Sequence, residues 1–226
     1  MKQSKLFHRV FPFVMMSIPW IYIAFIWDKL PSTIPTHFGI DGTADAYGPK
    51  TEIMILPLVF SVIGIGVYFI LRNISKIDPK RKYAASTSSV LSKLANAVII
   101  ILCAVCLFVS YWTLKGKIES MQAVFCSMGL FFAYIGNLLH SIKPNYFVGF
   151  RLPWTLENEE NWRKTHQLAS KLWFIGGIVL ALISLIINLK VLAIIFFAGI
   201  LIITIIPVAY SYNLYRTSTA GNDNGK

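Results

Sequence analysis

The residues of this 226-residue chain that could do chemistry gather in two hydrophilic stretches. The first, Pro31 to Lys50, carries His37, Asp41 and Asp45, one imidazole and two carboxylates, which are donor types suited to a cation. Asp41-Gly42 is also a turn former in its own right, and the calcium-loop pattern with its closing Glu is absent. A structural cap is therefore favoured over a metal site. No metal and no cofactor are expected.

The second stretch, residues 136–173, contains Asn137, Asn145, Gly149, Arg151, Pro153, Trp154, Thr155, Trp162 and His166. Arg151 presents a planar fork of donors beside the rigid Pro153, so it can clamp loop carbonyls or a carboxylate; resting on phospholipid headgroups is the other reading. His166 has no nucleophile at a catalytic spacing, and no HExxH, GxSxG or Walker-type loop occurs. It reads as a helix-face residue rather than a base. Cys103 and Cys106 form a CxxC inside an apolar run with no second pair and no nearby histidine, which marks inert membrane thiols. Nothing here points to an enzyme.

These residues must be positioned by an unusually apolar chain. Hydrophobic residues make up 56% of it and charged ones 14%, and mean hydropathy is +0.63. A soluble globule of this size has too little interior to bury so much apolar surface. Six apolar runs can cross a bilayer as helices: Val10–Trp27, Ile53–Leu71, Ala95–Trp112, Met121–Leu139, Leu172–Leu189 and Val191–Tyr210. None contains Asp, Glu, Lys or Arg. Lipid satisfies no backbone groups, and the runs lack the alternation of barrel strands, so helix is the required form. The expected fold is all-α: one polytopic membrane domain over residues 1–226, a six-helix bundle. The first run is read as a retained span bent at Pro12 or Pro19, since no small-residue cleavage site follows it.

Charge placement gives the orientation. Of 21 Lys and Arg, five (Lys29, Lys50, Lys115, Lys117 and Lys190) fall on one side of the spans and the other sixteen on the side of the N-terminus. The positive-inside rule makes both termini cytoplasmic, residues 28–52 a turn-rich extracellular loop, and residues 136–173 largely cytoplasmic. The net charge of +11 is thereby explained by topology, without direct nucleic-acid binding. In the inner stretch Thr155 is expected to cap a helix, with Glu159–Arg163 and Glu160–Lys164 as supporting pairs. Trp162, His166, Ala169 and Trp173 share a stripe of that helix, which should run directly into the fifth span with the stripe against headgroups or other loops. Gly177, Ala181 and Ser184 form a small-residue face suited to helix packing.

The pattern Gly136-Asn137 … Asn145-x3-Gly149-x-Arg151-x-Pro153-Trp154-Thr155-Leu156-x5-Trp162 … Ala169-Ser170-Lys171 resembles the signature of the SdpI family of bacterial membrane immunity proteins. Leu152 departs from it, standing where the common pattern has threonine. The stretch Ile34-Pro35-Thr36-His37-Phe38 … Gly42 … Asp45 … Lys50, within residues 17–60, is similar to a short domain of unknown function that often precedes that signature. The resemblance implies a multi-pass protein of the bacterial plasma membrane protecting against a secreted toxin peptide, which would meet the outer loop, with Pro35, His37, Phe38, Asp41 and Asp45 as the ligand-facing residues. It also implies a transcriptional repressor held at the cytoplasmic face around Arg151–Lys171. A transporter or permease subunit, with Asn137 as its polar span residue, is the competing reading. An intramembrane enzyme with a metal at His37, Asp41 and Asp45 is the third.

Overall fold

The computed structural model describes residues 2–79 and 84–223. Lys80, Arg81, Lys82 and Lys226, counted above among the inner cations, lie outside the described residues, as do the side chains of Lys2 and Lys5. Among the described residues seven α-helices and one hairpin follow in order, with short 3-10 turns at Trp27–Lys29 and Lys50–Met54: α1 (Lys2–Ile26), β1 (Thr33–Phe38), β2 (Ala44–Pro49), α2 (Ile55–Ile77), α3 (Ala84–Lys115), α4 (Met121–Leu139), α5 (Pro153–Glu157), α6 (Glu159–Ser184) and α7 (Leu189–Asp223). All but α5 are long and apolar enough to span a bilayer, so the chain is an all-α polytopic membrane protein with six spanning helices.

Only α4 coincides with its expected run; the other five spanning helices begin or end elsewhere. The fifth span stops at Ser184 rather than Leu189, because Leu185 and Ile186 close onto carbonyls three residues back. Asn188 then starts α7, its side chain accepting the Lys190 N–H at 3.1 Å. The last helix continues to Asp223, 35 residues in all. At 1.5 Å per residue that is about 50 Å, well beyond a hydrocarbon layer of about 30 Å. Helix α1 runs through both Pro12 and Pro19.

The chain divides into two compact units, Met1–Arg72 with Ser92–Met121, and Asn73–Leu91 with Gln122–Lys226. In the first, polar side chains tie α1 to α2: the Trp20 indole donates to Ser61 Oγ, and the fully buried Tyr68 hydroxyl donates to the His8 carbonyl. Residues 33–49 are more ordered than a set of turns. They form an antiparallel hairpin with irregular register around His37. Prolines at 35 and 49 and Gly48 hide the strand pattern from the sequence, yet β-branched Thr33, Ile34 and Thr36 favour extended backbone.

An isolated hairpin is marginal in water, so this one needs a foundation. Ile34, 1% exposed, provides it by joining Ile23, Ile26, Leu30 and Ile53 in one apolar cluster. At the hairpin tip Gly42 adopts φ +79, and its carbonyl accepts the Ile118 N–H at 2.8 Å. A Cβ on Gly42 would lie 2.0 Å from the Ile118 carbonyl oxygen, so glycine is required there for both conformation and space.

In the second unit α4 and α6 meet backbone to backbone. Added Cβ atoms at Gly129 and Gly177 would come within 2.8 Å of the opposite helix, and one at Gly136 would lie 2.4 Å from the Phe174 nitrogen. The small-residue face of α6 therefore has a matching face on α4, Gly129-x3-Ala133-x2-Gly136. Ser184 closes the row by donating to the Ala181 carbonyl at 2.6 Å. Such close approach supplies the van der Waals contact that replaces the hydrophobic effect within lipid.

Candidate functional site

The loop between α4 and α5 is organised by one buried amide. Asn145 is 3% exposed and uses its full hydrogen-bonding capacity: Nδ2 donates to the carbonyls of Lys143 and Val148, and Oδ1 accepts the N–H groups of Phe147 and Val148. The next residue ties this loop to the segment after α2, the Tyr146 N–H donating to Asp78 Oδ2 at 3.1 Å. The Tyr146 carbonyl accepts from Arg151 Nη1 at 2.7 Å. Arg151 thus clamps a loop carbonyl through one N–H while the side chain stays exposed.

His166 holds the following turn. The Phe150 N–H points at Nε2, 3.0 Å away, and Nδ1 lies 2.8 Å from the Trp162 carbonyl. An N–H needs a lone pair and a carbonyl needs a proton, so the network assigns a neutral imidazole protonated at Nδ1. The ring stacks on Trp162 at 4.1 Å between centroids, and the Trp162 indole donates to the Ile142 carbonyl at 2.8 Å. Gly149 fits beneath this ring at φ +109; a Cβ there would sit 2.3 Å from His166 Nε2.

The sequence reading misplaced one cap. Thr155 lies inside the short α5, opened by Pro153, and is completely buried. Its hydroxyl accepts the Leu152 N–H at 2.9 Å and approaches the Phe150 and Leu152 carbonyls at 2.7 and 2.9 Å. The cap of α6 is Asn158, whose Oδ1 accepts the Asn161 N–H. A one-residue break at Asn158 separates what periodicity reads as a single helix start. Arg163 bridges both oxygens of Glu160, three residues back, and Lys164 reaches the same carboxylate at 3.3 Å. Of the predicted stripe, Trp162, His166 and Ala169 are buried at 0–2% exposure, so it packs within its own unit rather than on headgroups.

Trp154 and Asn161 fasten this assembly to α7. The Trp154 indole donates to Ser211 Oγ at 3.0 Å and its ring stacks on Tyr215; Asn161 Nδ2 donates to the Ser211 carbonyl at 2.9 Å. Asp78, Asn161 and Ser211 were not picked out from the sequence. Asp78-Pro79 at the end of an apolar run was a usable signal, whereas nothing local marks Ser211. Asn137 is exposed on α4, apart from the network.

The hairpin residues behave differently. His37 Nδ1 and Asp45 Oδ1 are 2.6 Å apart across the strands, on side chains 69% and 53% exposed. Asp41 is engaged in its own turn, Oδ1 accepting from both the hydroxyl and the N–H of Thr43. Those bonds favour the charged form and hold its carboxyl below the usual range. Pro35 is buried and Phe38 half-buried. In the structure His37 and Asp45 form a cross-strand pair, Asp41 closes its own turn, and the carboxylates of Asp41 and Asp45 both lie beside Gly39. Among the described residues no three His, Cys, Asp or Glu come together as metal ligands.

Six apolar helices define a multi-pass membrane protein, and its signature residues interlock in one hydrogen-bonded loop. Comparison with known proteins specifies it further. Residues 141–211 match the SdpI/YfhL protein family and residues 14–60 match DUF1648, a domain of unknown function. It is 20% identical over 208 residues to the Immunity protein SdpI of Bacillus subtilis (strain 168), covering 92% of this chain and 96% of that one. A 49-residue segment is 41% identical to an uncharacterized protein of Archaeoglobus fulgidus, covering 22% of this chain and 27% of the other. No solved structure matches.

Proposed function

We propose that the chain is a non-enzymatic immunity protein of the bacterial plasma membrane that recognises a secreted antimicrobial peptide. The carrying observation is the likeness to an immunity protein along 92% of the chain, spanning both the hairpin and the signature loop. The site chemistry supports it: the signature side chains hydrogen-bond the loop backbone, an arrangement that fixes shape. In this reading the hairpin faces the medium and the signature junction faces the cytoplasm, an orientation supported by the excess of Lys and Arg on the N-terminal side of the spans.

In this reading the junction of α5, α6 and α7 is the surface at which a cytoplasmic repressor is held when peptide binds. A ligand shifts such an equilibrium only by binding one state more tightly than the other, so peptide affinity and repressor affinity must be coupled. The test is deletion of the gene followed by challenge with secreted peptides from neighbouring strains. Raised sensitivity to at least one peptide, restored by the intact gene, is expected. Unchanged sensitivity across the panel contradicts the proposal.

A further inference from the structure

The first unit contains a cavity of about 340 Å³ between β1, the turn Lys50–Met54 with the start of α2, and the last turns of α3. Ile34, Val59 and Val109 contribute apolar lining, Ser110 and Thr113 contribute hydroxyl-bearing side chains that are 2% and 4% exposed, and Glu52 is the single ionisable residue around it. No described side chain forms an ion pair with Glu52. The walls are fixed in advance: Ile34 belongs to the apolar cluster under the hairpin, and the Gly42–Ile118 bond ties the hairpin tip to the segment after α3. Preorganised walls reduce the entropy cost of binding.

From this geometry we infer that the cavity receives a large apolar side chain of a peptide whose neighbouring residue is cationic, the cation pairing with Glu52. The volume lies at the small end of ligand sites, roughly 300–1,000 Å³, which suits one or two side chains and not a folded domain. The lone carboxylate selects the partner's charge. It attracts a lysine, arginine or terminal ammonium, and it repels an anionic lipid headgroup whose tail would otherwise fill an apolar opening. The inference rests on the peptide-recognition reading above and gives that peptide a chemical class.

The test uses the full-length protein in lipid nanodiscs with two probes, acetyl-Lys-Trp-Lys-amide and its uncharged twin acetyl-Gln-Trp-Gln-amide, with binding followed by saturation-transfer NMR. The intact protein should bind the cationic probe about fivefold more tightly, the effect of one partly exposed ion pair. Glu52→Gln should abolish that preference while indole binding persists. Ser110→Phe, which fills the cavity, should lose both probes. Because Ser110→Phe risks misfolding, both variants are compared by thermal melting, and Glu52→Gln decides the matter if Ser110→Phe melts early. Failure of the intact protein to bind the cationic probe, a charge preference that survives Glu52→Gln, or a co-purified lipid that the probe does not displace overturns the inference. Protection is scored separately: if deleting the gene leaves peptide sensitivity unchanged, the immunity reading fails while the binding result still decides the cavity.

Discussion

The hairpin over α1 and the signature loop beside α6 are both compact, yet they are held by opposite means. In the hairpin, strand pairing and a floor of isoleucines carry the structure, and polar side chains such as His37 and Asp45 remain largely exposed. In the signature loop, Asn145, Thr155, Trp162 and His166 are themselves the fasteners, each buried and bonded to backbone. Polar residues that hold a loop together have little left to offer a ligand, whereas a backbone-held loop leaves its side chains available. The hairpin thus leaves its polar side chains at the surface, and the signature loop spends its own on holding itself together.

The sharpest way to break this contrast is at glycine. Gly149→Val should cause the largest loss, about 3 kcal/mol or more, since it combines an unfavourable φ with a clash into the His166 ring. Thermal unfolding in detergent and folded yield would show it. Asn145→Ala should cost about 2–4 kcal/mol by leaving several buried backbone groups unpaired, and Asn145→Asp should recover part of that through the retained acceptor. Hydrogen exchange at Phe147 and Val148 separates the two variants.

His166→Phe keeps a ring against Trp162 but leaves the Phe150 N–H without an acceptor, an expected loss of about 1–3 kcal/mol. If His166→Phe matches the intact protein in stability, the side chains are not the fasteners described above. Arg151→Lys should change stability too little to resolve, because a single exposed donor reaches Tyr146 and lysine can supply one. A large loss would show that the whole guanidinium fork is needed.

The smallest effect belongs to the hairpin turn. A carboxyl with a depressed folded pKa contributes stability above its unfolded pKa and loses it as pH falls through the folded value. The protection factor of the Thr43 amide, its rate corrected for the intrinsic pH dependence of exchange, should therefore fall as pH drops below the ordinary carboxylate range, and Asp41→Asn should remove that change.

Much of this was open to inspection in the residues alone. The six spans follow from apolar length, and the continuous helix from Glu159 into the fifth span follows from a stripe of Trp162, His166 and Ala169 joined to an apolar run. Gly177 and Ala181 announced a close helix contact without naming its partner. The hairpin was read only as a compact turn-rich loop, because Pro35, Gly48 and Pro49 interrupt the two-residue alternation by which strands are recognised. The cap at Asn158 was missed because Thr155 offers the same chemistry three residues earlier.

Local pattern determined the spans, the charge asymmetry and the signature, because each depends on the period or composition of neighbouring residues. Tertiary structure alone decided that Asp78 meets Tyr146, that Ser211 receives Trp154 and Asn161, and that Glu52 shares a cavity with Ser110. Those groups are separated by 50 or more positions in the chain. Their encounter depends on how helices pack in three dimensions, which no window of adjacent residues encodes.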